Sequence, residues 1–227
     1  MIPNLIHRHD LVWLEPGIDA GQLTASAEHA HCARDWAKRG WPLVVARQPE
    51  PISEQGDLLA LGFTLPSAPA RKRIAICAPR AAIVRHSRPL SLMDAIGHAP
   101  RSWRSGMFSL QALCAETGAV PRVYGSLSSQ TFTGASYLDE TSDLDLLLEC
   151  SEATQHLELL AALETFPRQS PRIDGEILMP IGWAVAWREL AEAVRADAPR
   201  KVLAKSDRET RLIPVDQLFK NLLFLTA

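Results

Sequence analysis

Short apolar runs of strand length recur through the first ninety residues around one helical stretch, and helical spacing becomes commoner after that. Leu11 to Leu14 reads as a short strand, Leu43 to Arg47 as a second, Asp57 to Leu65 as a third and Arg71 to Cys77 as a fourth, with a turn at Pro66 to Ala70. Between Gly21 and Gly40 the apolar residues Leu23, Ala27, Ala30, Ala33, Trp36 and Ala37 fall on one helical side, and Gly40 stops the helix. Ala81 to Arg88 fits a strand or an extended connection. Leu90 to Gly97 reads as a short helix. Ser102 is placed to cap a helix running to Glu116 or Thr117, with Gly118 closing it and Trp103, Met107, Leu110 and Cys114 on one face.

A strand after Pro121 ends at Tyr124. Downstream, a helix begins near Ser151 with Leu157, Leu160 and Leu163 as its apolar positions, and ends at Phe166-Pro167. Arg172 to Leu178 reads as a strand, Gly182 to Ala196 as a helix, Lys201 to Ala204 with Thr210 to Pro214 as a hairpin, and Asp216 to Phe224 as a last helix. The expected fold class is α+β: a small strand-rich N-terminal domain over residues 1–88 and a mixed domain over 89–227.

The chemistry concentrates in Val123-Tyr124-Gly125-Ser126 and in Ser142-Asp143-Leu144-Asp145-Leu146-Leu147-Leu148. On a strand, Asp143 and Asp145 point the same way while Leu144, Leu146 and Leu148 fill the opposite face. Two adjacent carboxylates repel, and such a pair normally needs a cation or a shared proton. Gly125 lets backbone come close to a phosphate, and Ser126 offers a hydroxyl and an N–H at the head of a helix. The simplest account is a divalent metal site handling phosphoryl groups. Magnesium is the expected ion, as two ions, because it favours carboxylate oxygens together with substrate phosphates. A third carboxylate is expected on a neighbouring strand. Asp174 fits, with Ile173 and Ile177 on its core face, and Glu176 on the same face as Asp174 is the reserve candidate.

Composition narrows the function classes. The 227 residues carry a formal net charge of -2, which argues against a protein that grips nucleic-acid backbones. Hydrophobic residues make up 47% and charged residues 22%, as in an ordinary globular protein. No segment approaches the roughly 20 apolar residues of a membrane span, and the N-terminus lacks a signal-peptide pattern, so a cytoplasmic location is expected. Cys32, Cys77, Cys114 and Cys150 are widely spaced with no CxxC, which reads as free thiols. His7 and His9, and His29, His31 and Cys32, have no matching partners at a metal-binding spacing. Trp183 and Trp187, one turn apart on the expected helix, read as core. Arg71-Lys72-Arg73 reads as a solvated hairpin end, with docking of an acidic partner as the functional alternative. Lys205, in the late hairpin, is a candidate phosphate contact.

The order strand, Gly-Ser, strand with Asp-x-Asp, helix, strand with Asp resembles the nucleotidyltransferase superfamily, whose catalytic domain is polymerase-beta-like. Ser126 and Asp143 stand further apart than is usual there, and the intervening Phe132, Gly134, Tyr137 and Leu138 make that loop partly apolar, fit to cover a substrate. In this longer form the run Arg122 to Gln130, then Phe132-Thr133-Gly134, Tyr137-Leu138 and Ser142 to Leu146 is similar to the phosphoribosyl-dephospho-CoA transferases of malonate decarboxylase. Ile173-Asp174-Gly175-Glu176 fits too, while Ser129 stands where family members often have tryptophan. The resemblance implies a 2'-(5-triphosphoribosyl)-3'-dephospho-CoA donor, a serine of the apo acyl carrier protein of malonate decarboxylase as acceptor, and pyrophosphate as leaving group. It implies that Asp143, Asp145 and Asp174 are catalytic metal ligands, with Asp174 helping to activate the serine, and that Gly125 and Ser126 hold phosphate, beside which Lys205 stands as the further phosphate contact read from its hairpin position. The N-terminal domain is then expected to bind substrate or partner. Two rivals stand beside this: a nucleotidyltransferase using an ordinary nucleoside triphosphate, and a catalytically silent scaffold.

Overall fold

The computed structural model describes residues 6–48, 58–66, 72–167, 171–196 and 199–223. The chain divides into two units, one of residues 1–89 with 132–137, the other of residues 90–131 and 138–227. Helices and strands occur in both, so the fold class is α+β.

The first unit holds β1 (Leu11–Leu14), α1 (Ala27–Lys38), β2 (Leu43–Val45), β3 (Leu58–Leu65), β4 (Lys72–Pro79) and β5 (Ile83–Ser87). The strands run in the order β4-β3-β2-β1-β5, every pair antiparallel. The segment that fitted a strand or a connection is therefore strand at β5, an edge strand paired with β1. Helix α1 starts later than its spacing suggested. Ser26 accepts from the His29 N–H as its N-cap, and Leu23 lies before the helix, buried in the core. The turn expected at Pro66 to Ala70 falls largely outside the described residues. Tyr137 joins this unit, buried, with its hydroxyl donating to the Thr64 carbonyl at 2.7 Å, and Phe132 sits edge-on to Trp13. The apolar stretch between Ser126 and Asp143 thus contributes packing residues to the first unit.

The second unit contains β6 (Leu90–Ser91), α2 (Leu92–Ala95), α3 (Arg101–Glu116), β7 (Val120–Val123), α4 (Gly125–Thr133), β8 (Leu144–Glu149), α5 (Ala153–Thr165), β9 (Ile173–Leu178), β10 (Ala184–Ala186), α6 (Trp187–Val194), β11 (Lys201–Lys205), β12 (Thr210–Pro214) and α7 (Val215–Leu223). Its described strands form one sheet, β12-β11-β10-β9-β8-β7-β6. Strands β8 and β9 are parallel, as a helical crossover through α5 allows, and the other neighbours are antiparallel. One sheet face carries Leu144, Leu146, Leu148, Ile173, Ile177, Val185, Val202 and Ala204, all buried with Met107, Leu110, Leu160 and Leu190 from the helices. The other face carries Asp145, Glu149, Asp174, Glu176 and Lys205.

Three readings need correction. Residues 184–186 are strand, because Ala184-Val185-Ala186 pairs with β9 on one side and, through Ala184 and Val185, with β11 on the other; the helix starts only at Trp187, so Trp183 and Trp187 do not share a helical turn. The cap of α3 is Pro100, not Ser102. On α5, Leu159 is buried where Leu157 was expected, and Leu157 is exposed.

Candidate active site

Strand register brings the predicted acids together. In the parallel β8–β9 pair, Asp145 stands opposite Asp174, Leu144 opposite Ile173 and Leu147 opposite Glu176. Aligned residues of neighbouring strands share a face at about 4.8 Å separation, so Asp145 and Asp174 are side by side on the polar face. Asp143 and Arg172 immediately precede the two strands, and the Leu144 N–H donates to the Arg172 carbonyl at 2.9 Å to continue the ladder. Asp174 is exposed, while Asp143 and Asp145 are half-buried.

Gly125 reaches this cluster from β7 through a backbone bend with φ of 66°, a left-handed conformation that glycine adopts without steric cost. Its missing side chain is what admits Asp145: a Cβ there would lie 2.7 Å from the Asp145 carboxyl carbon. The Tyr124 N–H donates to the Asp145 carbonyl at 3.2 Å, tying the same turn to β8. Ser126 stands half-buried in the first turn of α4.

Asp143 is engaged by Arg172, whose Nε donates to one carboxylate oxygen and whose second terminal nitrogen donates to the other at 2.6 Å. This bidentate fork pushes the Arg172 guanidinium further up from its ordinary pKa, chiefly through the hydrogen bond to Asp143. Among the described residues no three His, Cys, Asp or Glu side chains are placed to hold a metal ion as they stand. The donor set is nevertheless of the right chemistry for a hard cation, since all three acids offer oxygen. The Gly125 bend also holds clear the space in which the Asp145 carboxylate lies.

Glu176 and Lys205, both on the polar face, pair with each other at 2.7 Å. Glu176 is 5% exposed, so the reserve carboxylate is buried and neutralised, whereas Asp174 faces solvent. Lys205 is therefore drawn to an acid of β9. Further along the same face, Arg122 donates to Glu149 at 2.6 Å.

Sequence reasoning missed two arginines. A cavity of about 420 Å³ at the start of β8 and β9 is lined by Asp143, Arg172, Ile173, Asp174 and Arg188. Arg188 donates to the Ile173 carbonyl at 2.8 Å, and its guanidinium carbon lies 4.5 Å from the centroid of the Trp187 ring. Arg172 had a usable signal: two positions before Asp174, it shares that residue's strand face. Arg188 had none, because only the fold returns α6 to the start of β9.

Three carboxylates and two guanidinium groups thus gather at the entry of two parallel strands of an α+β fold, offering oxygen ligands to a cation and donors to an anion. The particular family follows from comparison with known proteins. Residues 7–89 match the N-terminal domain and residues 91–216 the C-terminal domain of phosphoribosyl-dephospho-CoA transferase MdcG. A phosphoribosyl-dephospho-CoA transferase of Xanthomonas campestris pv. campestris strain 8004 is 38% identical over 213 residues, covering 93% of this chain and 96% of the relative. One from Bradyrhizobium diazoefficiens is 35% identical over 187 residues, 81% of each chain. Another from Azotobacter vinelandii is 31% identical over 210 residues, covering 90% and 91%. The chain belongs to the phosphoribosyl-dephospho-CoA transferase family. No solved structure matches it. Among the described residues, no helix is long and apolar enough to cross a membrane.

Proposed function

We propose that this chain moves the phosphoribosyl-dephospho-CoA group from 2'-(5-triphosphoribosyl)-3'-dephospho-CoA to a serine of the apo acyl carrier protein of malonate decarboxylase, in the cytoplasm. The observation that carries the reading is the in-register pair Asp145 and Asp174 beside the Gly125 bend. Its mixed sheet, with acids on one face and helices on the other, is read as a polymerase-beta-like nucleotidyltransferase domain. The first unit is read as the part that binds substrate or partner.

In the reaction the serine Oγ bonds to the α-phosphorus of the donor. The bond from that phosphorus to the bridging oxygen breaks, and pyrophosphate leaves with the electron pair. Asp143, Asp145 and Asp174 would hold magnesium, as two ions, which when bound neutralises charge on the triphosphate and on the leaving oxygen. Asp174, the exposed acid of the trio, activates the serine hydroxyl by accepting its proton as Oγ attacks. Gly125 and the N–H groups at the start of α4, with Ser126, hold the phosphates. Lys205 is the outermost phosphate contact and has to leave Glu176 to serve.

The test is mass spectrometry of the apo carrier after incubation with enzyme, donor and magnesium. The carrier gains the mass of the prosthetic group with wild type and with no folded Asp145→Asn or Asp174→Asn variant. Glu176→Gln keeps the chemistry but loses about 1–3 kcal/mol of stability, because the amide still accepts from Lys205 but no longer offsets its charge. Transfer from ATP in place of the dephospho-CoA donor, or full transfer by Asp143→Ala or Asp145→Ala, overturns the reading.

A further inference from the structure

We propose that Arg172 is a polyphosphate-binding residue that Asp143 holds until the donor arrives, so that anion entry and metal binding at Asp143 are coupled through one exchange of partners. The inference rests on the proposed function and adds to it a residue and an order of contacts.

Three observations carry it. Both oxygens of Asp143 are taken by the Arg172 fork, and in that arrangement no trio of described acids is ready for a cation. The pair opens to solvent on the arginine side: the Arg172 side chain is 62% exposed and that of Asp143 24%. Water at the guanidinium screens the bidentate pair, so separating the two costs about threefold to fivefold in equilibrium constant. Finally, Arg172 shares its cavity with Arg188, whose guanidinium is held by the Ile173 carbonyl and the Trp187 ring. Arg188 is the fixed cationic wall, and Arg172, on a long unbranched stem open to solvent, is the one that can turn.

A guanidinium fork that fits a carboxylate also fits a phosphate, which offers the same paired oxygens with more charge. When a triphosphate enters, Arg172 moves from Asp143 to phosphoryl oxygens, and the released carboxylate becomes a metal ligand beside Asp145. No covalent bond changes in this step. Linkage requires the converse too: a cation at Asp143 makes Arg172 more available to the anion.

Two equilibrium measurements on the full chain test this without turnover. In the first, Mn2+ is titrated by electron paramagnetic resonance with no anion present. Arg172→Ala is expected to bind the ion about threefold to fivefold tighter than wild type, the share that a solvent-screened ion pair withholds. In the second, inorganic tripolyphosphate is titrated by calorimetry in chelator. Arg172→Ala is expected to bind it about tenfold or more weakly, Arg172→Lys less so, and Asp143→Asn about threefold tighter. The double variant Asp143→Asn/Arg172→Ala isolates the exchange from bulk charge: the gain from Asp143→Asn must vanish when Arg172 is absent. A gain that persists in the double variant, or unchanged Mn2+ affinity in Arg172→Ala, overturns the exchange. Asp145→Asn separates that failure from failure of the underlying reading. If it loses Mn2+ while the cycle shows no coupling, only the exchange is wrong; if it keeps full Mn2+ affinity, the metal assignment falls and the exchange with it.

Discussion

Replacing Gly125 by alanine puts the link between backbone conformation and chemistry under direct strain. Two costs meet at this position. The φ of 66° disfavours any L side chain by about 1–2 kcal/mol. The added Cβ would also lie 2.7 Å from the carboxyl carbon of Asp145 and 3.0 Å from its Cβ. The Cβ of Asp145 is fixed by a strand paired on both sides, so the carboxylate is the part that turns away. Gly40 supplies the control. Its φ is 68°, but nothing lies within 4 Å of where its Cβ would be, so Gly40→Ala carries the conformational cost alone. Urea unfolding followed by circular dichroism should show Gly40→Ala destabilised by about 1–2 kcal/mol and Gly125→Ala by more than that. Transfer to the carrier protein, timed by mass spectrometry, should fall about 100-fold in Gly125→Ala, since a catalytic group misplaced by about 1 Å costs on that order. It should stay at the wild-type rate in Gly40→Ala. A folded Gly125→Ala that transfers at the wild-type rate would refute the idea that this close approach sets the Asp145 carboxylate.

Three further predictions concern groups away from the acids. Asp10 is fully buried in the first unit, 2.7 Å from His86 Nε2 and 2.6 Å from an Arg88 nitrogen, and it also accepts the His7 N–H at 2.9 Å. Removing one partner of a buried ion pair costs about 3–5 kcal/mol, the low end applying here because Arg88 reaches solvent; Asp10→Ala should lower the urea midpoint of the tryptophan signal accordingly, and an unchanged midpoint would exclude a structural role. Burial pushes the Cys114 thiol up to about 12 and the Cys150 thiol up to about 11, so iodoacetamide at pH 8 should label Cys32 and Cys77 first. Because the folded values lie above the ordinary 9.0, stability from the neutral thiols is complete below that pH and is lost as pH rises through 11 and 12. The urea midpoint should therefore fall less steeply above pH 9 in Cys114→Ala than in wild type; equal slopes would contradict this.

Local pattern was enough for the period-two elements and for the acids. The alternation of Asp143 and Asp145 with Leu144, Leu146 and Leu148 is a property of adjacent residues. It assigned the two faces of β8 before any partner strand was known, and the same logic placed Asp174 and Glu176 together on β9. Local pattern failed where a short apolar run suits either element: Trp183-Ala184-Val185-Ala186 carries no period long enough to separate strand from helix, and pairing with β9 and β11 decided it. It put Asp174 ahead of Glu176 without the physical ground for that order. Their difference is burial and an ion pair with Lys205, 29 residues away. The Arg172–Asp143 fork spans 29 residues as well and exists because β8 and β9 run parallel in one register. The acids of the candidate site are written in the chain because strand periodicity is local. Which acid is free to act, and which cation restrains it, depends on residues that only folding brings within reach.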